Sequence, residues 1–213
     1  MADYLLVDLF CGAGGCSVGY ARAGLRVVGV DWVWQARYPF ALLVEDAVGF
    51  LRGLLVGQHF GGIGLGLEQV SAFHASPPCQ AYSRSAMVWR ARGIEYPDLI
   101  QETRFLLQRT GLPYIMENVP EAPLLNPLTL HAQDFGLKLA RDRNFEVNFP
   151  VPEPIRQPKL PGSYPPVGHF SDRKAVSTEM GLPALNRAEL AQAIPPAYTE
   201  YIGGFLLEYL LRL

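Results

Sequence analysis

YLLVDLFCGAGGCSVGYARAG, residues 4–24, sets three local signals end to end. Tyr4 to Leu9 is a short apolar run that closes on an acid, the pattern of a buried strand. CGAGG is a glycine turn. SVGYARAG then shows helical spacing and stops at Gly24. Strand, glycine loop and helix in that order open a doubly wound α/β sheet. The glycines let backbone approach a ligand, and the free N–H groups of the following helix face an anionic group.

The pattern continues outward. Arg26 to Asp31 (RVVGVD) is a second β-branched run ending in an acid. The stretch 36–55 (ARYPFALLVEDAVGFLRGLL) predicts a helix, an acidic turn and another helix. Gly57 to Gly66 reads as a surface connection. Its GGIGLG follows no strand and so lacks the setting of a dinucleotide loop. Strands are expected at Val70 to Ala75, Tyr114 to Met116 and Phe145 to Phe149, with a helix from Asp98 to Thr110. Parallel βαβ packing follows from this alternation. Residues 150–166 (PVPEPIRQPKLPGSYPP) cannot continue a sheet. After Pro195-Pro196 an amphipathic helix carries Tyr198, Tyr201, Phe205 and Tyr209, a stripe suited to packing on the sheet.

Composition bounds the chemistry. The chain has 213 residues, 49% hydrophobic and 18% charged, enough for one folded α/β domain and a small appendage. Gly53 to Leu67, the longest uncharged apolar stretch, is broken by Gln58, His59 and glycines, short of the roughly 18 to 20 apolar residues of a membrane span. With no basic, apolar leader at residue 1, a cytoplasmic location is expected. Three cysteines without a CxxC pair argue against a disulfide framework and a zinc cage, so no metal is expected. Eighteen basic against twenty acidic residues give net charge −2, so any contact with a polyanion must be local.

Four constellations carry chemistry. Asp8 to Gly15 (DLFCGAGG) follows the first strand, where Asp8, Asp31 and Asp46 can converge on one ligand. An acid after the second strand suits the paired hydroxyls of a ribose, although such acids also serve as ordinary helix caps. Ser76 to Ser83 (SPPCQAYS) follows another strand, and its two prolines hold Cys79 at the strand exit as a displayed nucleophile. Glu117-Asn118-Val119-Pro120 ends the next strand; its carboxyl faces the same crevice, while a plain turn would look alike. Arg141-Asp142-Arg143 offers two guanidinium forks, or a solvated charge run.

In this order the pieces resemble the cytosine-C5 DNA methyltransferase family. DLFCGAGG is similar to its S-adenosylmethionine loop, SPPCQAYS to its nucleophile motif, ENV to its glutamate motif, RDR to the end of its QxRxR motif, and IPPAYTEYIG to its final motif. The resemblance implies a Rossmann-like fold in three parts: a catalytic core over 1–149, a short proline-rich target-recognition segment over 150–190, and a C-terminal helix over 191–213 that completes the core. It implies that a flipped cytosine is attacked at C6 by Cys79, with Glu117 on the N3 and N4 edge, Arg143 on O2, and Arg141 behind Cys79. Asp8, Phe10, Cys11, Gly12, Ala13, Gly14, Gly15, Asp31, Trp32, Asp46, Ala47 and Pro78 would surround S-adenosylmethionine, leaving S-adenosylhomocysteine after transfer. Gln80, Ser83, Arg84, Asn118 and Arg173 would touch substrate. Residues 80–93 would close over it, with Arg84, Arg90 and Arg92 as a local basic patch.

The sequence departs from the family at Leu139, where glutamine is usual, and at Ala191 and Gln192, where glycine and asparagine are usual. Residues 150–190 replace a large recognition domain, leaving Arg156, Lys159, His169, Arg173 and Lys174 beside Tyr164 and Phe170 for phosphate contact and stacking. Sequence reading must be reduced or shared with a separate specificity partner, and the chain is expected as a monomer or weak oligomer on double-stranded DNA. Small members of this kind look like those of phages, where protection of DNA against host nucleases is a plausible role. The tRNA cytosine methyltransferases share the motifs and form the alternative. A DNA-binding relative with little catalysis would be expected to lack Cys79 or Glu117.

Overall fold

A computed structural model describes residues 3–62, 64–83, 87, 91–164, 172–182 and 185–213. In chain order the elements are β1 (Leu5–Leu9), α1 (Gly15–Arg22), β2 (Arg26–Asp31), β3 (Ala41–Val44), α2 (Ala47–Leu55), β4 (Ala72–Ala75), α3 (Ile100–Thr110), β5 (Tyr114–Asn118), β6 (Leu128–Leu130), β7 (Arg143–Val147), α4 (Arg173–Met180), α5 (Arg187–Gln192) and α6 (Pro196–Leu210). They build a seven-stranded sheet of order β3-β2-β1-β4-β5-β7-β6. The first five strands run parallel, and β7 is antiparallel to β5 and to β6. This is the doubly wound, Rossmann-like arrangement.

Side chains alternate between the faces. Leu6, Ala72, Ile115 and Phe145 pack with Tyr20 of α1 and with Tyr198, Ile202 and Leu206 of α6. Leu5, Val7, Leu9, Phe73, Ala75 and Met116 pack on the other side with Phe50 and Leu51 of α2 and Leu107 of α3. Each fully buried leucine of these layers contributes about 2 kcal/mol by leaving water.

One expectation is corrected. Residues 41–44 form the edge strand β3 and not a helix. Pro39 withholds an N–H, and Ala41 to Val44 instead pair in register with Val28 to Asp31. Strand β6 and helices α4 and α5 had no expected counterpart. Residues 151–160 are irregular, as the prolines require, but Val176, Met180, Leu182, Leu185 and Leu190 join the core beneath α1 and α6. The stretch after the prolines is therefore stitched into the body of the protein. No helix among the described residues is long and apolar enough to cross a membrane.

Helices α1 and α6 meet through glycines. A Cβ on Gly19 would land on the Thr199 hydroxyl and the Pro196 carbonyl, and one on Gly15 would lie 2.6 Å from the Ile194 carbonyl. The Thr199 hydroxyl donates to the Cys16 carbonyl (2.8 Å) across this seam. Gly19→Ala should therefore lower stability by about 3 kcal/mol through overpacking. Gly204→Ala, where a Cβ meets nothing within 4 Å, should raise it by up to about 1 kcal/mol. Urea midpoints of the two variants check the pair.

Candidate active site

The carboxyl ends of the five parallel strands lie along one edge, where loops rather than ladder bonds satisfy the backbone. After β1 the chain turns through Phe10 at φ 57°, Gly12 at φ 49° and Gly14 at φ 88°. That left-handed conformation is uncommon for a phenylalanine and places strain at the loop's entrance. The Gly12 amide donates to Asp31 Oδ2 (3.0 Å) and the Val33 amide to Asp31 Oδ1 (3.2 Å). Asp31 thus ties the glycine loop to the end of β2. Trp32 beside it is 77% exposed. Gly14 precedes α1, and a Cβ there would meet Pro39 Cδ at 2.8 Å. Asp46 caps α2, accepting from the Gly49 amide (2.7 Å), and Ala47 is buried behind it.

Asp8 lies under the loop, 1% exposed. The Ser17 hydroxyl donates to its Oδ2, and Ser17 in turn contacts the Tyr38 hydroxyl at 2.7 Å. Asp8 Oδ1 has no hydrogen-bond partner among the described residues. Burial pushes the Asp8 carboxyl up to about 7, against the Ser17 hydrogen bond and with help from the negative charges of Asp31 and Glu117. Neither Ser17 nor Tyr38 stood out in the sequence; a serine one turn into the helix after a strand-end acid is the signal that was there to read.

Cys79, Glu117, Arg141 and Arg143 are brought together at the exits of β4 and β5 and the start of β7. Arg143 forms an ion pair with Glu117, its Nε lying 3.0 Å from Oε1. Burial pushes the Glu117 carboxyl up, while Arg143, a Ser76 hydrogen bond and Arg141 pull it down. Burial also raises the Cys79 thiol, the nearby Glu117 charge raises it further, and Arg143 and Arg141 act the other way. Arg141 is 2% exposed. Its Nη2 donates to the Gln192 carbonyl (2.9 Å), while Nε and Nη1 have no hydrogen-bond partner among the described residues. Burial, with Arg143 as a like charge, drops its pKa to about 9.

The surrounding backbone is fixed by named contacts. Asn118 Nδ2 donates to the Pro77 carbonyl (2.9 Å), which clamps the end of β5 to the Pro77-Pro78 turn. The Tyr82 and Ser83 amides donate to the Cys79 carbonyl (3.0 and 2.8 Å), so Cys79 begins a tight turn. Cys11 and Cys16 are buried and Cys79 is half-buried. Burial pushes the Cys11 and Cys16 thiols strongly up, leaving Cys79 as the accessible sulfur of the three.

Among the other expected residues, Gln80 is exposed and Ser83 buried, while Arg84, Arg90, His169 and Phe170 lie outside the described residues. Arg173 begins α4 and donates to the Leu185 carbonyl (3.2 Å), and Arg156 pairs with Asp134 (3.6 Å). Among the described residues no group of three or more His, Cys, Asp or Glu is disposed to hold a metal ion.

No protein-family model and no curated protein matches the chain. Solved structures do. The methyltransferase EhMeth of Entamoeba histolytica aligns over 99% of this chain and 99% of its own, at 13% identity and a TM-score of 0.59. A prophage-encoded DNA modification methyltransferase of E. coli aligns over 67% of this chain at 21% identity and a TM-score of 0.47, and this chain spans 45% of its length. A mutant of the Spodoptera frugiperda DNMT2 aligns over 81% of this chain and 62% of its own, at 17% identity and a TM-score of 0.43. The likeness to the first is one of fold: the sheet and helices follow the arrangement seen in that protein.

The raised Asp8 pKa has a consequence for stability. An acid that holds its proton more tightly when folded favours folding at low pH, and that contribution is lost as pH rises from its ordinary value of 3.8 to about 7. Asp8→Asn removes this loss. Its stability relative to the unaltered protein should climb between pH 4 and pH 7 and then level off, as followed by urea denaturation. A constant difference across that window would contradict the assignment.

Proposed function

We propose that the protein is an S-adenosylmethionine-dependent methyltransferase that modifies C5 of cytosine in DNA through a covalent adduct with Cys79. The observation that carries this reading is the accessible Cys79 thiol beside a buried Glu117 held by Arg143, at the carboxyl edge of a methyltransferase-type sheet. The motif resemblance supports it independently of the fold.

The glycine-loop side fits the cofactor. Each oxygen of Asp31 already accepts one backbone N–H, which leaves a lone pair on each for the two hydroxyls of a ribose. Trp32 exposes a ring for a purine to stack on. Space is open around Gly12, where a Cβ would meet nothing within 4 Å. Phe10, Cys11, Ala13, Gly14, Gly15, Asp46, Ala47 and Pro78 complete this side, with Asp8 beneath it. When bound, the cofactor supplies an electrophilic methyl group.

The protein's own residues make cytosine able to accept that group. C5 of the aromatic ring is a poor nucleophile. Addition of Cys79 to C6 as the thiolate, its proton released to water, breaks the aromaticity and places electron density on C5. Glu117, with its proton, donates to N3 as this charge develops. Protonation of Glu117 also removes the negative charge that helps to hold Cys79 as a thiol, so the two events reinforce each other. Arg143 keeps Glu117 oriented and is the nearest cation for the base carbonyl. After methyl transfer, loss of the C5 proton to water lets the sulfur leave as thiolate, and N3 returns its proton to Glu117, which restores the ring.

Residues 1–149 and 191–213 act as the catalytic body in this reading, and residues 150–190 contribute what target contact the chain makes, with Arg173 at its start of α4. Gln80, Ser83 and Asn118 are assigned to the substrate side.

Transfer of labelled methyl groups from S-adenosylmethionine into duplex DNA and into tRNA, measured in parallel, tests the proposal. Incorporation into DNA is expected, falling by at least about 100-fold in Glu117→Gln and in Cys79→Ser. Unchanged transfer by Cys79→Ser would overturn the covalent step, and transfer confined to tRNA would overturn the DNA assignment.

A further inference from the structure

A buried polar path runs behind Glu117 on the face covered by α1. The Tyr20 hydroxyl lies 2.8 Å from His74 Nδ1, and His74 Nε2 lies 2.9 Å from the Ser76 hydroxyl. Ser76 follows β4 one step beyond the Ala75–Met116 pair, with its hydroxyl on the His74 face, and so stands beside Glu117, whose carboxyl it pulls down as a donor. Tyr20 and His74 are both fully buried. The register explains how they meet: His74 on β4 sits beside Asp8 on β1 and Ile115 on β5, two residues before Glu117 on the same face. Neither Tyr20 nor His74 belongs to the motifs that carry the proposed chemistry.

Two proton arrangements are possible along this path. In the first, the Tyr20 O–H donates to Nδ1, the Nε2–H donates to Ser76, and the Ser76 O–H donates to the Glu117 carboxylate. Every hydrogen then has an acceptor. In the reverse arrangement Ser76 spends its one hydrogen on Nε2, Glu117 must itself be protonated to meet Ser76, and the buried Tyr20 hydrogen loses its acceptor among the described residues. An unmet buried donor is costly, so the first arrangement is favoured.

We propose that Tyr20, His74 and Ser76 are positioning residues, a neutral donor chain that orients the Glu117 carboxylate and sets its affinity for the proton it carries to the base. This rests on the methyltransferase reading for its role in turnover, but not for the chain itself. Burial drives the His74 pKa down to about 3, so the chain brings no charge of its own. The groups that face Glu117 with charge or polarity are Arg143 and Arg141 beside β7, Asp8 from β1, Cys79 from the exit of β4, and Cys16 and Tyr20 from α1. All of these remain when Ser76 is changed.

The test uses the full chain carrying 13C-labelled glutamate and 15N-labelled histidine, observed by NMR without cofactor or DNA, with Glu117→Gln identifying the Glu117 signal. His74 should carry its hydrogen on Nε2. In Ser76→Ala the Glu117 midpoint should rise by about one pH unit, the effect of losing one hydrogen bond to a charged acceptor. Ser76→Thr should restore it, and Tyr20→Phe should raise it by a smaller amount. In transfer assays the alkaline limb of kcat should move upward with the midpoint. A hydrogen on Nδ1 would overturn the proposal. So would an unmoved Glu117 midpoint in either Ser76→Ala or Tyr20→Phe, whether or not the protein methylates DNA. Shifted midpoints in a protein that transfers no methyl group would instead leave the chain standing and remove the assigned function.

Discussion

The alternation of side chains across the parallel register of β1, β4 and β5 is the constraint to which the other features answer. It puts Asp8, His74 and Glu117 on the face beneath α1, and the antiparallel pairing of β7 adds Arg143 to the same face. Burying so many polar groups is costly unless each meets a partner. Ser17 meets Asp8, Tyr20 and Ser76 meet His74, and Arg143 meets Glu117. A slip of one residue would turn this entire row into the apolar layer under α2 and α3. The opposite face carries its own buried pair: Arg104 grips Glu146, which also accepts from the Leu125 amide and the Tyr114 hydroxyl. That cluster fixes the turn following Asn118, and hence the direction in which the end of β5 points.

The C-terminal segment secures the remaining member of the site. Arg141 precedes β7 in an irregular stretch, where no ladder holds it. Its guanidinium is instead tied to the Gln192 carbonyl, and its own carbonyl accepts from the Tyr198 hydroxyl. A buried cation with two guanidinium nitrogens unmatched among the described residues is tolerable only beside negative charge, and Glu117 supplies it. The acid, the two arginines and the thiol therefore tune one another, and none of their proton affinities is a property of a single residue.

Much of this was legible in the sequence because the relevant strands are buried on both faces and end in recognisable turns. The runs before Asp8, Asp31, Cys79 and Glu117 announced themselves as apolar, and their polar ends placed the candidate site at the carboxyl edge. The misread segment, residues 41–44, is half-exposed at the sheet's margin and abuts an amphipathic helix, so its apolar residues blend into the helical spacing of α2. Strand β6 is only three residues long, too short for any period to show. The partners of the site residues were harder still. Tyr20, Tyr38 and His74 act through contacts made only after the sheet is assembled, and a histidine inside AFHA carries no local pattern to distinguish it from core filler.

The glycine seam between α1 and α6 joins residues 183 apart in sequence, Cys16 and Thr199. Closing so long a loop is entropically expensive and yields nothing until the last helix exists. Sheet strands β1 to β5 can pair while the chain is still being synthesised, but Arg141 has no anchor until Gln192 and Tyr198 have been made. The order of synthesis thus imposes an order of competence: an incomplete chain on the ribosome holds the thiol and the acid but not the fixed cation that acts on both.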